Sequence, residues 1–507
     1  MQTHRMLVGG KWAPARSGQT FPSLDPATGR VIGLFQQGDA RDVDLAVAAA
    51  AKAFPAWRNT PPPTRARVLF RLAALLQQRK EELARLVSLE MGKVLPEARG
   101  DVQEAIDTAE YFAGEGRRLF GTTTTSELRE KAALTIRVPV GIVACITPWN
   151  FPVAIPSWKV LPALVCGNTV ILKPSSDTPL CATRFVQLLQ EAGAPAGVVN
   201  LVTGPGETVG DALVTHPQVQ GISFTGNGST GEGIIRKAGM KKVGVEGGGK
   251  NGIIILPDAD LALALEGVVW GGYGTSGQRC TAASRVIVHE KIQEKFERLL
   301  AARVRSLRLG PGLRAGTEVG PLINARAVEK VHGYTQLGLQ EGARLRCGGT
   351  IPKGKGFFYQ PTLFTDVQPD MRIAREEIFG PAVSLLTVRS LDEAIDVMND
   401  IPYGLSSAVY TKNITSAFRA IHRIEAGITY VNASTTGAEV HLPFGGVKAT
   451  GHTREAGWTG VEEFTHLKTV YIDYSGRLQR AQMDGVDGGG TSKRSGSPFT
   501  RTPRRRP

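Results

Sequence analysis

Short apolar segments constrain the fold of this chain more than any other feature. Between residues 141 and 258, five such segments are rich in Val and Ile and close on Gly, Pro or Ser: GIVACITP, NTVILKPS, GVVNLVTG, GISFTG and NGIIILPD. Segments with helical spacing separate most of them, an alternation typical of a parallel sheet covered by helices. A second set after residue 280 (SRVIVH, AVSLLTV, SAVYT and GITYVN) indicates another such layer. We therefore predict an α/β protein.

The first third of the chain is predicted to be mostly helical. Apolar residues repeat at helical spacing over residues 46–57, over 65–92 and over 101–116, where the pattern ends on glycine. The next segment, 119–138, is polar and rich in Thr, and we interpret it as an exposed hairpin.

The composition is that of an ordinary soluble globular protein. The 507 residues suffice for two or three domains, and 42% are hydrophobic and 21% charged. No apolar run is long enough to span a membrane, and the N-terminus lacks the apolar core of a signal peptide. The five cysteines form no CxxC pair, and the eight histidines have no ligand spacing. We expect a cytoplasmic protein with neither a disulfide framework nor a metal site.

The formal charge of +14 is concentrated in part at the C-terminus. Residues 475–507 contain eight Lys and Arg against two Asp, and so carry +6 of that charge. This tail has three interpretations: it is solvated and idle, it binds nucleic acid or another acidic surface, or it packs on a neighbouring subunit. We expect no nucleic-acid partner, since the rest of the chain is only mildly basic.

A glycine-rich turn follows one of the predicted strands. Gly226, Gly228 and Gly231 have the GxGxxG spacing of a dinucleotide-binding turn, in which a helix N-terminus faces a pyrophosphate. An ordinary strand-to-helix turn capped by Asn227 fits the same residues. The dinucleotide pattern also predicts an acidic ribose ligand about 20 residues further on, and Glu246 lies at that distance.

Cys280 lies in GTSGQRCTAAS, directly after another glycine-rich bend. Small neighbours let a substrate carbon approach a nucleophilic sulfur, whereas most free cysteines are inert core residues. The surrounding residues alone leave both interpretations open.

Four segments in this order carry a family resemblance: TPWNFP (147–152), VEGGGKN (245–251), GQRC (277–280) and EEIFGP (376–381). Together with LVGGKW near the N-terminus and PFGGVKATG (443–451), they resemble the NAD(P)-dependent aldehyde dehydrogenase superfamily. The resemblance extends from about residue 7 to residue 474. It implies a Rossmann-like cofactor domain, an α/β catalytic domain and a small β element for oligomerisation.

The resemblance also implies how the chemistry is divided among residues. Cys280 would attack the aldehyde to form a thiohemiacetal, and Asn150 would stabilise the oxyanion with the backbone N–H of Cys280. Hydride transfer to NAD or NADP would leave a thioester, which water activated by Glu246 would hydrolyse. By motif position, Glu246 is thus a base and not a ribose ligand. Lys159 would assist its proton transfer.

The cofactor residues are likewise implied by position in the family's motifs. Lys173 would hold the adenosine ribose, and Ser176 stands where NAD-preferring relatives often carry a glutamate that repels a 2′-phosphate. We therefore expect both NAD and NADP to be accepted. The full set of predicted cofactor residues is Trp149, Lys173, Ser176, Gly204, Gly226, Asn227, Glu377 and Phe379.

Domain bounds follow from the resemblance too. Residues 1–118 and 139–247 would form the dinucleotide-binding domain and 248–448 the catalytic domain, with 481–507 as a basic tail. Residues 119–138 and 466–480 would add strands to a neighbouring subunit, which predicts a homodimer or homotetramer.

Two sequence departures and two rival functions complete the prediction. Gly247 replaces the family's usual Leu, and Asn227 replaces its usual Ser.

An enzyme that transfers the acyl group to coenzyme A would usually lack a base at Glu246, whose presence favours hydrolysis. A binding protein that acts through the basic tail is the rival from another class, although Cys280, Glu246 and Asn150 are all retained. The identity of the aldehyde stays open.

Overall fold

A computed structural model of the chain describes residues 2–483. The predictions for the basic tail therefore lie, from residue 484 onward, outside the described residues. The strands in chain order are β1 (Thr3–His4), β2 (Met6–Val8), β3 (Lys11–Ala13), β4 (Thr20–Asp25), β5 (Arg30–Gln36), β6 (Thr123–Thr125), β7 (Lys131–Pro139), β8 (Ile142–Ile146), β9 (Thr169–Lys173), β10 (Val199–Leu201), β11 (Gly221–Thr225), β12 (Lys242–Glu246), β13 (Asn251–Ile255), β14 (Ala283–His289), β15 (Arg344–Cys347), β16 (Thr362–Thr365), β17 (Ala382–Val388), β18 (Tyr403–Gly404), β19 (Ser406–Tyr410), β20 (Ile428–Val431), β21 (Val447–Lys448) and β22 (Thr465–Asp473).

The α-helices of the described chain are α1 (Ala40–Asn59), α2 (Pro62–Gln78), α3 (Lys80–Met91), α4 (Leu95–Glu115), α5 (Ala154–Val165), α6 (Pro179–Glu191), α7 (Asp211–Thr215), α8 (Gly228–Ala238), α9 (Leu261–Tyr273), α10 (Glu290–Ser306), α11 (Ala325–Gln340), α12 (Arg372–Arg375), α13 (Leu391–Asn399), α14 (Ile414–Arg423) and α15 (Gly457–Glu463).

The first large sheet has the strand order β12-β11-β8-β9-β10-β2-β3. Its strands β8 to β12 run parallel, and the register of β8 against β11 places Ala144 opposite Ile222. All residues of β8, β9 and β11 are buried, because helices cover both faces of the sheet. That burial explains why these strands appear in the sequence as continuous apolar runs. The order changes direction at β8, and ligands of such sheets bind at this switch point.

The second large sheet has the order β15-β16-β17-β14-β13-β19-β20 and is parallel except at β15. The segment 247–250 joins it to the first sheet, since β12 ends at Glu246 and β13 begins at Asn251. Residues at this junction and on the loop before β14 therefore lie where the carboxyl end of one sheet meets the amino end of the other. The predicted α/β architecture with two parallel layers is confirmed.

Two parts of the N-terminal region differ from the sequence interpretation. Residues 3–36 contain five short strands, of which β2 and β3 extend the first sheet at its edge. The helical pattern over 65–92 is two helices and not one, because Arg79 leaves helical geometry at φ −101° and ψ 12° between α2 and α3.

Residues 120–138 and the described chain from Leu467 form a separate compact unit. Within it, β6 pairs antiparallel with β7, and the sheet order is β22-β7-β6. Most side chains of β22 are exposed, among them Leu467, Tyr471 and Ile472. The exact bounds of the predicted domains stay a prediction.

Candidate active site

A left-handed bend presents Cys280. Thr275, Ser276 and Gly277 have φ of 51°, 56° and 69°, three successive residues in a region that suits glycine and disfavours a β-branched side chain. A Cβ at Gly277 would collide with the carbonyl of Gly380. The glycine of GQRC is therefore required both by its backbone angle and by a close approach of the chain.

Glu97 of α4 holds this bend in place. Its carboxylate accepts the backbone N–H of Thr275 at 2.8 Å and the hydroxyl of the same residue at 3.0 Å. The hydroxyl of Ser276 donates to the carbonyl of Gly320 at 2.8 Å. Buried hydrogen bonds of this kind offset the cost of the left-handed residues. Glu97 was not predicted from the sequence, since nothing in its helical pattern marks a ligand for a distant loop.

Two asparagines fix the backbone around Cys280. The Asn251 side-chain amide donates to the carbonyls of Cys280 at 2.7 Å and of Ala282 at 3.0 Å, and its oxygen accepts the N–H of Ser406. The amide of Asn150 donates to the carbonyl of Gln278 at 3.0 Å, which brings Asn150 beside the bend. The positioning contact of Asn251 was not foreseen, although this residue closes the VEGGGKN motif.

Cys280 and Glu246 line one open cavity of about 690 Å³. The thiol is partly exposed there, although burial raises the pKa of Cys280 to about 12, with Glu377 and Glu246 adding to the shift. The thiol is therefore protonated at neutral pH in this structure and must lose its proton when it reacts.

Glu246 ends strand β12 on the wall of this cavity. Burial raises its pKa well above the ordinary value for a carboxyl group, and the nearby carboxylates of Glu455 and Glu463 raise it further. Thr453 Oγ1 lies 3.2 Å from Glu246 Oε1. Glu246 shares its cavity with Cys280 and is not among the residues lining the nucleotide cavity, which favours the base over the ribose ligand.

Lys159 lies in a buried polar cluster near Glu246. Its ammonium pairs with Glu455 and donates to the hydroxyl of Ser223 at 3.0 Å. Burial by itself would lower the pKa of Lys159, but Glu455 and Glu463 outweigh it and the pKa is raised. The charge of Lys159 therefore acts on Glu246 and lowers the pKa of its carboxyl group in part. Glu455, the partner of Lys159, was not predicted from the sequence.

The side chain of Arg279 lines the cavity of Cys280. Its guanidinium carbon lies 4.5 Å from the Trp270 ring centroid, and its Nε donates to the hydroxyl of Thr275 at 2.8 Å. The nearest carboxylate oxygen, on Glu97, is 3.7 Å away. Arg279 thus places a buried cation on the cavity wall with no carboxylate at hydrogen-bonding distance among residues 2–483.

A second cavity, of about 620 Å³, lies at the carboxyl ends of β8, β9 and β11. It includes five of the predicted cofactor residues: Trp149, Lys173, Ser176, Gly226 and Asn227. Asn227 caps α8 by accepting the backbone N–H of Ser229 at 2.9 Å, so the helix N-terminus faces the cavity. A Cβ at Gly231 would collide with Val245, which explains the third glycine of GxGxxG. Cavity, glycines and helix end together fit a dinucleotide.

Lys173 and Ser176 lie together on the wall of this nucleotide cavity. Burial lowers the pKa of Lys173 to about 8. The hydroxyl of Ser176 donates to the carbonyl of Gly204 at 3.2 Å, and Gly204 has a φ of 145°. Gly204 itself does not line the cavity but supports Ser176 through this hydrogen bond.

Glu377 and Phe379 approach from the second sheet. The Phe379 ring meets Trp149 edge-on at a centroid distance of 5.4 Å. The carboxylate of Glu377 accepts the N–H of Gly249 at 3.1 Å, and a Cβ at Gly248 would collide with it. Glu377 thus contacts the segment 247–250 and Phe379 contacts Trp149, and neither residue lines the nucleotide cavity.

Neither a metal centre nor a membrane-spanning helix is present in the described chain. Among residues 2–483, no group of three or more His, Cys, Asp or Glu side chains could hold a metal ion. Over the same residues, no helix combines the length and apolarity needed to cross a membrane.

Comparison with known proteins identifies the family. The model of the aldehyde dehydrogenase family matches residues 12–470. The α-ketoglutarate semialdehyde dehydrogenase of Haloferax volcanii is 43% identical over 476 residues, covering 92% of this chain and 98% of that protein. The corresponding Bacillus subtilis enzyme is 41% identical over 479 residues, covering 93% and 98%.

A solved structure agrees with this assignment. The betaine aldehyde dehydrogenase from Staphylococcus aureus, in complex with NAD+, superimposes with a TM-score of 0.92 at 35% identity, covering 94% of this chain and 95% of that one. The predicted fold class, family and enzyme class are confirmed. The chain belongs to the aldehyde dehydrogenase family and is an NAD(P)-dependent oxidoreductase that acts on aldehydes.

Proposed function

We propose that this chain oxidises an aldehyde to a free carboxylic acid with Cys280 as nucleophile and Glu246 as general base. The observation that carries the proposal is the shared cavity of these two side chains, in a chain whose second cavity fits a dinucleotide. The Cys280 sulfur bonds to the aldehyde carbon, and the thiol proton leaves to solvent water in the open cavity. The amide of Asn150 and the backbone N–H of Cys280 stabilise the resulting oxyanion.

A nicotinamide dinucleotide held in the second cavity would supply the hydride acceptor for that carbon, and a thioester would then remain on Cys280. A water molecule that loses a proton to Glu246 then attacks the thioester, the C–S bond breaks to release the acid, and Glu246 returns the proton to the Cys280 sulfur. The raised pKa of Glu246 makes it a stronger base than an exposed carboxylate, which suits the removal of a proton from water. Lys159 and Glu455 form the polar environment around this base.

Hydrolysis is favoured over acyl transfer to coenzyme A because a base lines the cavity. Acyl transfer needs a thiol acceptor in place of an activated water, and enzymes that carry it out usually lack a base at the position of Glu246. The Glu246→Gln variant separates the two, since it keeps the shape of the side chain and removes the base.

The test of the mechanism is a rapid-mixing measurement of reduced cofactor at 340 nm, a wavelength of the nicotinamide. We expect Glu246→Gln to give one equivalent of reduced cofactor per site and then almost no turnover, because the thioester persists. Cys280→Ser serves as control and should give no burst. Normal turnover by Glu246→Gln, with weakened cofactor binding, would instead make Glu246 a ribose ligand.

We propose a semialdehyde as the substrate, meaning an aldehyde that carries a carboxylate at its far end. Arg279 supports this class, since its buried guanidinium lines the reaction cavity with donors left for an anion. The two α-ketoglutarate semialdehyde dehydrogenases act on a compound of this class. We expect Arg279→Met to lower kcat/KM for 5-oxopentanoate about 100-fold relative to pentanal, as expected for the loss of a charge-assisted hydrogen bond.

Cofactor choice, assembly and compartment complete the proposal. Ser176 adds no negative charge to the wall of the nucleotide cavity, so we propose that both NAD and NADP are used.

Exposed apolar residues on β22, such as Leu467 and Tyr471, support a homodimer or homotetramer in which this strand is covered. We also propose a cytoplasmic location, in keeping with five free cysteines.

A further inference from the structure

One carboxyl group on the wall of the reaction cavity has no partner. Glu104, on α4, lines the same cavity as Cys280 and Arg279. Its carboxyl group makes neither a hydrogen bond nor an ion pair with any residue in the range 2–483. An unpartnered carboxyl group on a substrate cavity is the kind of group that a ligand satisfies.

The other acidic residues that α4 places on this wall are already paired. Asp101 binds the buried ammonium of Lys93 at 3.0 Å and accepts the N–H of Ala154. Asp107 accepts the side-chain amide of Gln103 at 2.7 Å. Glu97 holds the bend before Cys280 through the backbone N–H of Thr275. All four residues are acidic, but only the carboxyl group of Glu104 has no hydrogen-bond or ion-pair partner within residues 2–483.

The surroundings of Glu104 keep it uncharged at neutral pH. Burial raises its pKa to about 8, and the carboxylates of Asp101 and Asp107 act in the same direction. The cations of Lys93 and Arg279 oppose that shift without cancelling it. A protonated carboxyl group can donate a hydrogen bond, whereas an ionised one only accepts.

Tyr430 and Glu439 complete the set of ionisable groups that face this region. Burial raises the pKa of Tyr430, and Glu439 and Glu104 contribute to that shift, so the phenol stays neutral near physiological pH. Glu439 also lines the cavity and forms a long contact of 3.6 Å with His441. Neither Tyr430 nor Glu439 supplies a cation to Glu104.

We propose that Glu104, in its protonated form, donates a hydrogen bond to the distal carboxylate of the substrate while Arg279 supplies the countercharge. This inference rests on the proposed function, since it assumes the Cys280 chemistry and the semialdehyde class. Glu104 is then a specificity-determining residue, and selectivity for anionic tails depends on its proton. Deprotonation turns the donor into a carboxylate that repels the tail.

The preference for anionic substrates should depend on pH, because only protonated Glu104 donates a hydrogen bond to them. Below about pH 8 Glu104 is protonated and favours the anionic substrate, whereas above about pH 8 it is ionised and the preference declines. The measured quantity is the ratio of kcat/KM for 5-oxopentanoate to that for pentanal, from pH 6.5 to 9.5. Both aldehydes use the same Cys280 and Glu246, so the pH dependence of the chemistry cancels in the ratio. We expect the wild-type ratio to fall roughly tenfold, the usual weight of a hydrogen bond to a charged group.

Variants of Glu104 separate its proton from its bulk. Glu104→Gln retains an N–H donor that does not titrate, so its ratio should stay high and flat across the pH range. Glu104→Leu removes the donor and should show a low, flat ratio. Glu110→Gln is the matched control, because Glu110 is an exposed carboxylate of α4 outside the cavity lining, and it should keep the wild-type ratio and its decline with pH.

Three results would overturn the inference. The first is a wild-type ratio that does not change with pH, and the second is a Glu104→Gln ratio that declines as in the wild type. The third is a preference for the cationic aldehyde 4-(trimethylammonio)butanal over pentanal that is already present well below about pH 8, which would mean that Glu104 meets the substrate as a carboxylate. Failure of the proposed function looks different, because Glu246→Gln would then turn over pentanal normally instead of stopping after one burst.

Discussion

The Thr453 hydroxyl oxygen lies 3.2 Å from Oε1 of Glu246, whereas Oε2 of that carboxylate has no hydrogen-bond partner in the described chain. The buried base is therefore supported by one hydroxyl on one side only. Carboxylates that accept few hydrogen bonds are poorly stabilised in the charged form, in agreement with the raised pKa of Glu246.

Replacing Thr453 by Val should shift the pH dependence of turnover to higher pH. Loss of the hydroxyl destabilises ionised Glu246 and raises its pKa by roughly one unit, the equivalent of about 1.4 kcal/mol. Because the ionised form is the base, the rising limb of kcat against pH moves upward and kcat at pH 7 falls. Thr453→Ser retains the hydroxyl and should keep the wild-type limb. An unchanged limb in Thr453→Val would mean that this contact does not tune the base.

Replacing Ser176 by Glu should convert the enzyme to NAD preference. The new carboxylate would lie beside the ribose and repel a 2′-phosphate, so kcat/KM for NADP should fall about 100-fold while that for NAD changes little. Ser176→Ala removes only the hydroxyl and should lower kcat/KM for NADP no more than several-fold. Equal losses with both cofactors in Ser176→Glu would place Ser176 away from the 2′ position.

Replacing Gly248 by Ala should weaken cofactor binding. The added Cβ would collide with the carboxylate of Glu377, which must move away from Gly249. If Glu377 binds the cofactor as predicted, Kd for NAD should rise roughly tenfold, the loss of about one hydrogen bond. The measurement is a titration by protein fluorescence.

The control for that variant is Gly333→Ala on α11, where an added Cβ meets nothing within 4 Å. It should leave Kd unchanged and stabilise the helix by about 0.5–1 kcal/mol. Equal Kd values for both variants would contradict the assigned contact between Gly248 and Glu377.

Replacing Lys93 by Met should strongly destabilise the fold. Both side chains of the Lys93–Asp101 pair have 0% exposure, so the variant leaves an unpaired carboxylate in the interior. Loss of one partner of a buried pair costs about 3–5 kcal/mol, measurable as a lower urea-unfolding midpoint. Arg99→Met, which breaks an exposed pair with Glu81, should cost at most about 1 kcal/mol. A small effect in Lys93→Met would indicate that Asp101 becomes protonated in the variant.

Much of the fold could be predicted because its signals are local. The parallel strands are buried on both faces, so Val and Ile runs such as those of β9 and β11 are visible without any tertiary information. The short N-terminal strands β1 to β3 are two or three residues long and pair at sheet edges, and no periodicity marks them. The break at Arg79 leaves the apolar spacing of α2 and α3 intact, which is why one helix was expected there.

The sequence by itself determined the class of chemistry in this protein. Cys280, Glu246 and Asn150 stand in motifs that resemble those of the aldehyde dehydrogenase superfamily, and this resemblance implied an aldehyde-oxidising enzyme. Only the tertiary structure decided what surrounds that chemistry. The left-handed bend at Thr275 and Ser276 precedes the Arg279 side chain on the cavity wall, and α4 brings Glu104 to the same wall from 176 positions before Cys280 in the numbering. Side-chain direction and desolvation depend on backbone angles and packing between distant segments, and neither is encoded in the residue types alone.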